Sequence, residues 1–411
     1  YRRRQMVNPF NPAPGAVPAR IIGRETELSA TREAVRRAKL GEAPTPLVFV
    51  GQRGMGKTVL LRSLRDLGDR ETLAVAIESL PDRTLTDRLR DKIDALLGDL
   101  EPLPSRAGNA LKRALKSVPK VSYELPNHAG AIALGASSDA EEARIDHESF
   151  FAMLVALQKA AQIAKRYLTI TIDEVQDADL RSMQTLATFV HESAQGPHPV
   201  LLGIAGLAET RDLIDRLRTY VQRWDTFDLR LLTLPETIEA IREPIVREGV
   251  AIDEDALDLL ARESGGYPFF IQAYGSAAWI AHHARLVTRG DVEKSLPEVR
   301  RRSETSFYVR PLARLTPREI ALALVLAELG PGAHSFGDVA RRFGLDARDL
   351  SSARANLAKK EIIAAPVPGR VEFRMPFMDR FLRDHASEYR DASVEAAHAE
   401  LMRKRVPKAK S

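Results

Sequence analysis

The stretch that most constrains this chain is Gly51-Gln52-Arg53-Gly54-Met55-Gly56-Lys57-Thr58, set between the apolar run Pro46–Val50 and a helix-forming segment, Val59–Leu67. It fits the pattern G-x-x-x-x-G-K-[ST]. Glycines let such a backbone curl so that successive N–H groups converge into an anion nest. The helix that begins at its end adds a positive pole. A triphosphate needs several convergent donors of this kind. Lys57 is placed to reach its β- and γ-phosphates, and the Thr58 hydroxyl to enter a magnesium shell. Strand, loop and helix in this order commit the chain to a parallel α/β arrangement.

A second element carries chemistry only in company with the first. Leu168-Thr169-Ile170-Thr171-Ile172 is an apolar strand that ends in two adjacent carboxylates, Asp173 and Glu174. Ligands of open parallel sheets sit beyond the carboxyl ends of the strands. Asp173 is therefore expected beside Lys57 and Thr58, holding Mg²⁺. Glu174 is expected to orient or deprotonate an attacking water. Further strands are expected at Thr72–Ile77, Val200–Ala205 and Phe227–Leu232, with helices at Thr26–Leu40, Thr84–Leu97 and Phe150–Ala164 between them. Residues 100–146, rich in proline and glycine, break this rhythm and read as an insertion, with a hairpin expected across 120–134.

The chain has 411 residues, enough for about three domains. Five units are expected: an N-terminal arm (1–20), the α/β domain (21–234), a helical lid (235–310), a winged helix (311–390) and a basic tail (391–411). The arm holds four prolines, Pro9, Pro12, Pro14 and Pro18. After Pro235 strands are expected to stop and four helices to follow, broken near Gly249, Gly265-Gly266 and Arg289-Gly290. The absence of cysteine excludes disulfides, thiolate metal sites and cysteine nucleophiles. No apolar run approaches the ~18 residues that span a bilayer, so the expectation is a cytoplasmic protein without a membrane partner.

Together these motifs resemble a P-loop ATPase of the AAA+/STAND group, closest to the origin-recognition-like ATP-binding proteins of bacteria and archaea. Ile22-Gly23-Arg24-Glu25-Thr26-Glu27-Leu28 is similar to the box that in this group packs near adenine. Leu202–Leu207 resembles the fourth-strand segment, and Gly265-Gly266-Tyr267-Pro268 the lid motif whose proline approaches the nucleotide. The resemblance implies ATP or ADP with Mg²⁺. It places Gly23, Arg24, Pro268 and the whole of 51–58 around the nucleotide. It makes Lys57, Glu174 and Arg223 the catalytic set, with Arg223 acting as a finger-like arginine across a homo-oligomer interface or from within the chain. The sequence departs from the group after the fourth strand, where Ile204-Ala205-Gly206-Leu207 offers no polar sensor. The lid also lacks a second-sensor arginine. These gaps imply slow ATP hydrolysis and the behaviour of a switch.

The net charge of +5 is uneven: +4 over 1–20, +5 over 311–411, and −4 between. Basic ends suit a polyanion. Three helices, a hairpin and a return helix after Leu315 outline a winged helix, with Arg348, Arg354, Lys359, Lys360, Arg370 and Arg374 on its expected duplex-facing side. Two outputs stay open for residues 336–374, duplex DNA and a protein partner. In the second reading the whole chain is a STAND-like scaffold that holds ATP or ADP structurally.

Overall fold

The computed structural model describes residues 7–13, 15–98, 104–117, 136–217, 219–283, 285–365, 367–391 and 394–396. Its centre is a sheet of five strands, β1 (Leu47–Val50), β2 (Thr72–Glu78), β3 (Tyr167–Asp173), β4 (Val200–Gly206) and β5 (Asp225–Asp228). They lie in the order β2-β3-β4-β1-β5, and every neighbouring pair is parallel. β1 and β4 are buried along their whole length, as central strands covered on both faces must be. Alternation divides β1 between two cores. Leu47 and Phe49 pack with Leu60, Leu61 and Leu64 of α2 (Lys57–Asp66) and with Ala34, Val35 and Ala38 of α1 (Glu25–Lys39). Val48 and Val50 join the opposite core with α3 (Leu85–Gly98), α4 (Ser105–Ser117), α5 (Ala136–Ile163) and α6 (Leu180–Ala194).

Two boundaries differ from expectation. β5 is four residues, 225–228, and not 227–232. It pairs only with β1, whose last partner is Val50 opposite Asp228, so the chain beyond it has no strand to lie against. The helix expected from Phe150 starts well upstream, as α5. The hairpin expected at 120–134 lies outside the described residues, apart from which the insertion supplies α4 and the start of α5.

A short helix α7 (Thr210–Asp215) precedes β5. After it come α8 (Leu234–Arg247), α9 (Glu254–Ser264), α10 (Pro268–Ala281), α11 (Arg289–Glu304) and the single turn α12 (Arg310–Leu312). α8 starts at a capping box: the Thr233 hydroxyl accepts from the Glu236 amide and the Glu236 carboxylate from the Thr233 amide. Strands do not stop here, contrary to the sequence reading. β6 (Ala251–Ile252) pairs in parallel with β7 (Leu286–Val287). Two residues are too few to leave a period in the sequence.

The C-terminal unit comprises α13 (Pro317–Glu328), β8 (His334–Ser335), α14 (Phe336–Phe343), α15 (Ser351–Lys359), β9 (Ile363–Ala364), β10 (Arg370–Phe373) and α16 (Met378–Asp384). The three strands form an antiparallel sheet in the order β8-β10-β9. The helices, hairpin and return helix follow in the order expected from the sequence, with β8 as an additional strand between the first two helices. The periodicity of the sequence predicts the third of these helices over Ala347–Lys360, but α15 starts at Ser351, because tight turns at Asp346–Asp349 and Arg348–Ser351 take its expected first turn. The described part of the N-terminal arm is anchored on α10. Phe10 is buried against Gly275, and the Asn8 amide donates to Ser276 Oγ at 2.9 Å. Among the described residues no helix is long and apolar enough to cross a membrane.

Candidate nucleotide site

The loop 51–56 leaves the carboxyl end of β1 and enters α2. Gly54 and Gly56 adopt φ +74° and +92°, the left-handed backbone that curls it. The Gly51 amide donates to the Gly206 carbonyl at 3.1 Å, which ties the loop to β4. Lys57 is buried, and its Nζ donates to the loop's own carbonyls, Gly51 at 2.8 Å and Gln52 at 3.0 Å. Burial holds this ammonium below its ordinary pKa, while Glu174 and Asp173 pull it back up. The ammonium is thus held inside the curl, where an anion of greater charge can compete for it.

Asp173 ends β3, and its Oδ2 accepts from Thr58 Oγ1 at 2.5 Å. Its Oδ1 accepts from the Glu174 amide at 2.9 Å. Burial raises the Asp173 carboxyl, opposed by these two hydrogen bonds and reinforced by the Glu174 charge. Glu174 itself stands in the left-handed region, φ 51°, at the start of a short 3-10 turn. Such a position is strained for a side chain other than Gly, Asn or Asp.

The start of α10 meets the loop directly. The hydroxyl of Tyr267, a fully buried ring, donates to the Arg53 carbonyl. Pro268 is the first residue of α10, next to that contact. A Cβ on Gly54 would stand 2.6 Å from Tyr267 Oη and 3.0 Å from Phe269 Cβ. Gly54→Ala should therefore cost about 1–2 kcal/mol for the backbone alone. It should also force Tyr267 off the loop, and so lower both the thermal midpoint and nucleotide affinity. Equal midpoints and equal affinities would rule this out.

Arg24 is 4% exposed and spends its guanidinium on carbonyls: Gly23 at 2.8 Å, Met55 at 3.3 Å and Arg230 at 2.7 Å. It fastens the start of α1, the loop and the segment after β5 to one another. Met55 is buried beneath the loop, and Arg53 is exposed on its crest. The arm also reaches the site, since a Cβ on Gly15 would touch Thr58 Cγ2 at 3.5 Å.

Arg223 is not brought to this site. It precedes β5, whose first residue lies opposite Leu47, at the amino end of the sheet, whereas the loop leaves the carboxyl end. Arg223 is exposed there, away from the chain's own loop.

Sequence reasoning missed Gln176. Its Nε2 donates to Glu174 Oε2 at 2.9 Å, and its Oε1 accepts from the Leu207 amide at 3.0 Å. A polar side chain does stand at the end of β4, but it comes from the turn after β3. Its signal was the amide two positions after Glu174.

Residues 20–202 match the AAA ATPase domain family. Over these residues the chain is similar to AAA+ P-loop ATPase domains. Residues 305–382 match a domain of unknown function, DUF8462. No curated protein sequence matches the chain. Among solved structures the chain is similar to Cdc6p from Pyrobaculum aerophilum, at 15% identity over 96% of this chain and 97% of that one, TM-score 0.47. It is similar to the RuvB Holliday junction branch migration motor of Thermotoga maritima, at 16% identity over 88% and 95%, TM-score 0.43. A third likeness is to the Aeropyrum pernix Orc1 protein in complex with DNA, at 16% identity over 95% of each chain, TM-score 0.45. The matched segment ends within β4 and includes residues 51–58, Asp173 and Glu174.

Proposed function

We propose that the protein is a Mg²⁺-dependent ATP-binding switch that hydrolyses ATP slowly, organised as an α/β domain, a helical lid and a winged helix. The observation that carries this reading is the 2.5 Å bond from Thr58 Oγ1 to Asp173 Oδ2 beneath the curled loop. A hydroxyl and a carboxylate in that relation, beside a buried lysine, are the donor set a hard cation and a triphosphate require. The loop amides and Lys57 bind the phosphates. Thr58 and Asp173 would hold the Mg²⁺, which when bound neutralises charge on the phosphate oxygens. Glu174 accepts the proton of the attacking water. Gly23, Arg24 and the N-terminal arm close the base side, and Tyr267 and Pro268 couple the lid to the loop. Titration with ATP and Mg²⁺ tests the reading: heat of binding together with slow phosphate release supports it, and neither would reject it.

Proton and metal compete for Asp173. Because burial raises this carboxyl, Mg²⁺-dependent affinity should begin to fall at a higher pH than an ordinary aspartate would set as the solution is acidified. Asp173→Asn should flatten that profile. An affinity independent of pH in the native chain would contradict the assignment.

Duplex DNA is the proposed output, carried by a smaller face than the sequence suggests. Lys360 is committed to the buried Glu319 at 2.6 Å, Arg374 to Glu209, and Arg354 lies over the Phe336 ring at 4.9 Å. Arg348, Lys359 and Arg370 remain exposed, beside the small polar surface of α15. Three phosphate contacts predict a slope of about −2.7 in log K against log salt. Lack of a duplex complex at low salt, with and without ATP, would remove this output.

A further inference from the structure

The C-terminal unit places charged side chains at the mouth of the phosphate loop. Arg53, on the loop's crest, donates from Nη2 to Glu361 Oε2 at 2.6 Å across 308 residues of sequence. Glu361 sits in the turn between α15 and β9, at φ +59°. Its other oxygen is 3.9 Å from Arg374 Nη1, just after β10. Arg374 pairs in turn with Glu209, which follows β4 at the carboxyl edge of the sheet. Arg53, Glu361, Arg374 and Glu209 thus form a run of alternating charge from loop to C-terminal unit to sheet.

Two features make this run easy to open. The Arg53–Glu361 pair is half exposed, at 46% and 34%, so water and salt weaken it. Arg374 Nε and Glu209 Oε2 are buried without hydrogen-bond partners, so the contact is incompletely satisfied. The run also stands where the end of a triphosphate would arrive, beyond the carboxyl ends of β1 and β4. A carboxylate brings one negative charge to its arginines, whereas a terminal phosphate brings more charge and more acceptor oxygens.

We propose that Glu361 makes the site selective for triphosphate: in the nucleotide-free chain Glu361 occupies Arg53, and the terminal phosphate of ATP takes Arg53, displaces Glu361 and loosens the turn between α15 and β9 that carries it. ADP lacks the group that competes. This rests on the nucleotide reading above and specifies its regulation.

The full-length chain tests it. Glu361→Gln should bind ATP about two- to fivefold more tightly, the range a partly exposed ion pair supports, and bind ADP unchanged. Hydrogen exchange of amides 360–374 should rise in the native chain on adding Mg²⁺ and a non-hydrolysable ATP analogue but not ADP. Glu361→Arg should raise that exchange without nucleotide, and Arg53→Glu in the same chain should restore protection. This rescue separates a specific pair from a general loss of packing. Native ATP binding with unaltered affinity in Glu361→Gln and exchange that ignores ATP would overturn the latch and leave the nucleotide reading intact. No ATP binding by the native chain would overturn both.

Discussion

Lys57→Ala should remove detectable binding of Mg²⁺-ATP at concentrations that saturate the native chain. The lysine is the only buried ammonium in contact with the loop among the described residues, with its Nζ on the Gly51 and Gln52 carbonyls. Charge-assisted hydrogen bonds contribute about 1.5–3 kcal/mol each, so losing one lowers affinity roughly ten- to hundredfold. A second loss adds to this. Without the ammonium the two carbonyls lose their donor, and the curl that aims the loop amides at the phosphates loosens. Lys57→Arg should not restore binding, because a planar fork cannot occupy the place of a compact point charge at a buried site. Calorimetry gives the affinity, and circular dichroism shows whether the fold survives. A folded Lys57→Ala chain with native affinity would mean that the loop does not hold phosphate.

The loop and the acidic strand end were legible because each is local. Eight consecutive residues specify the curl, and the alternation of Leu168, Ile170 and Ile172 delivers Asp173 to the end of a buried strand. Their juxtaposition followed from the rule for parallel sheets, and the Thr58–Asp173 bond realises it across 115 residues. What escaped is non-local or short. β5 ends at Asp228, opposite Val50, the last residue of β1, and a partner's length leaves no mark on the strand that depends on it. β6 and β7 are two residues each. Arg374 read as a cation of the wing facing DNA, yet it is 14% exposed and turned toward Glu209. A sequence displays the charges of such residues but not the face on which folding will spend them. Gln176 was missed for the related reason that two of its partners, Glu174 and the Leu207 amide, come from different strand ends.

Glu174→Gln should separate binding from hydrolysis. The two side chains share a shape, and Glu174 lies beside Asp173, the proposed metal ligand, rather than among the groups proposed to grip phosphate, so affinity for ATP should hold within a few-fold. The amide cannot take a proton from water. A positioned general base contributes about 10²–10⁴ in rate, and phosphate release should fall by that factor if Glu174 is the base. The geometry sharpens the test. Gln176 Nε2 donates to one oxygen of Glu174 at 2.9 Å, which fixes the carboxylate and leaves the second oxygen for water. In the variant, one end of the new amide would face Gln176 and could present a donor to a donor. The side chain would then flip, its oxygen toward Gln176 and its nitrogen toward the water site. Both effects act against hydrolysis and neither removes the phosphate cradle. Release measured in a single turnover, with ATP affinity measured in parallel, distinguishes the outcomes. Equal release from both chains, at background level, would assign the site to structural nucleotide and favour the scaffold reading. A drop in release with affinity retained would establish Glu174 as the group through which the chain resets its switch.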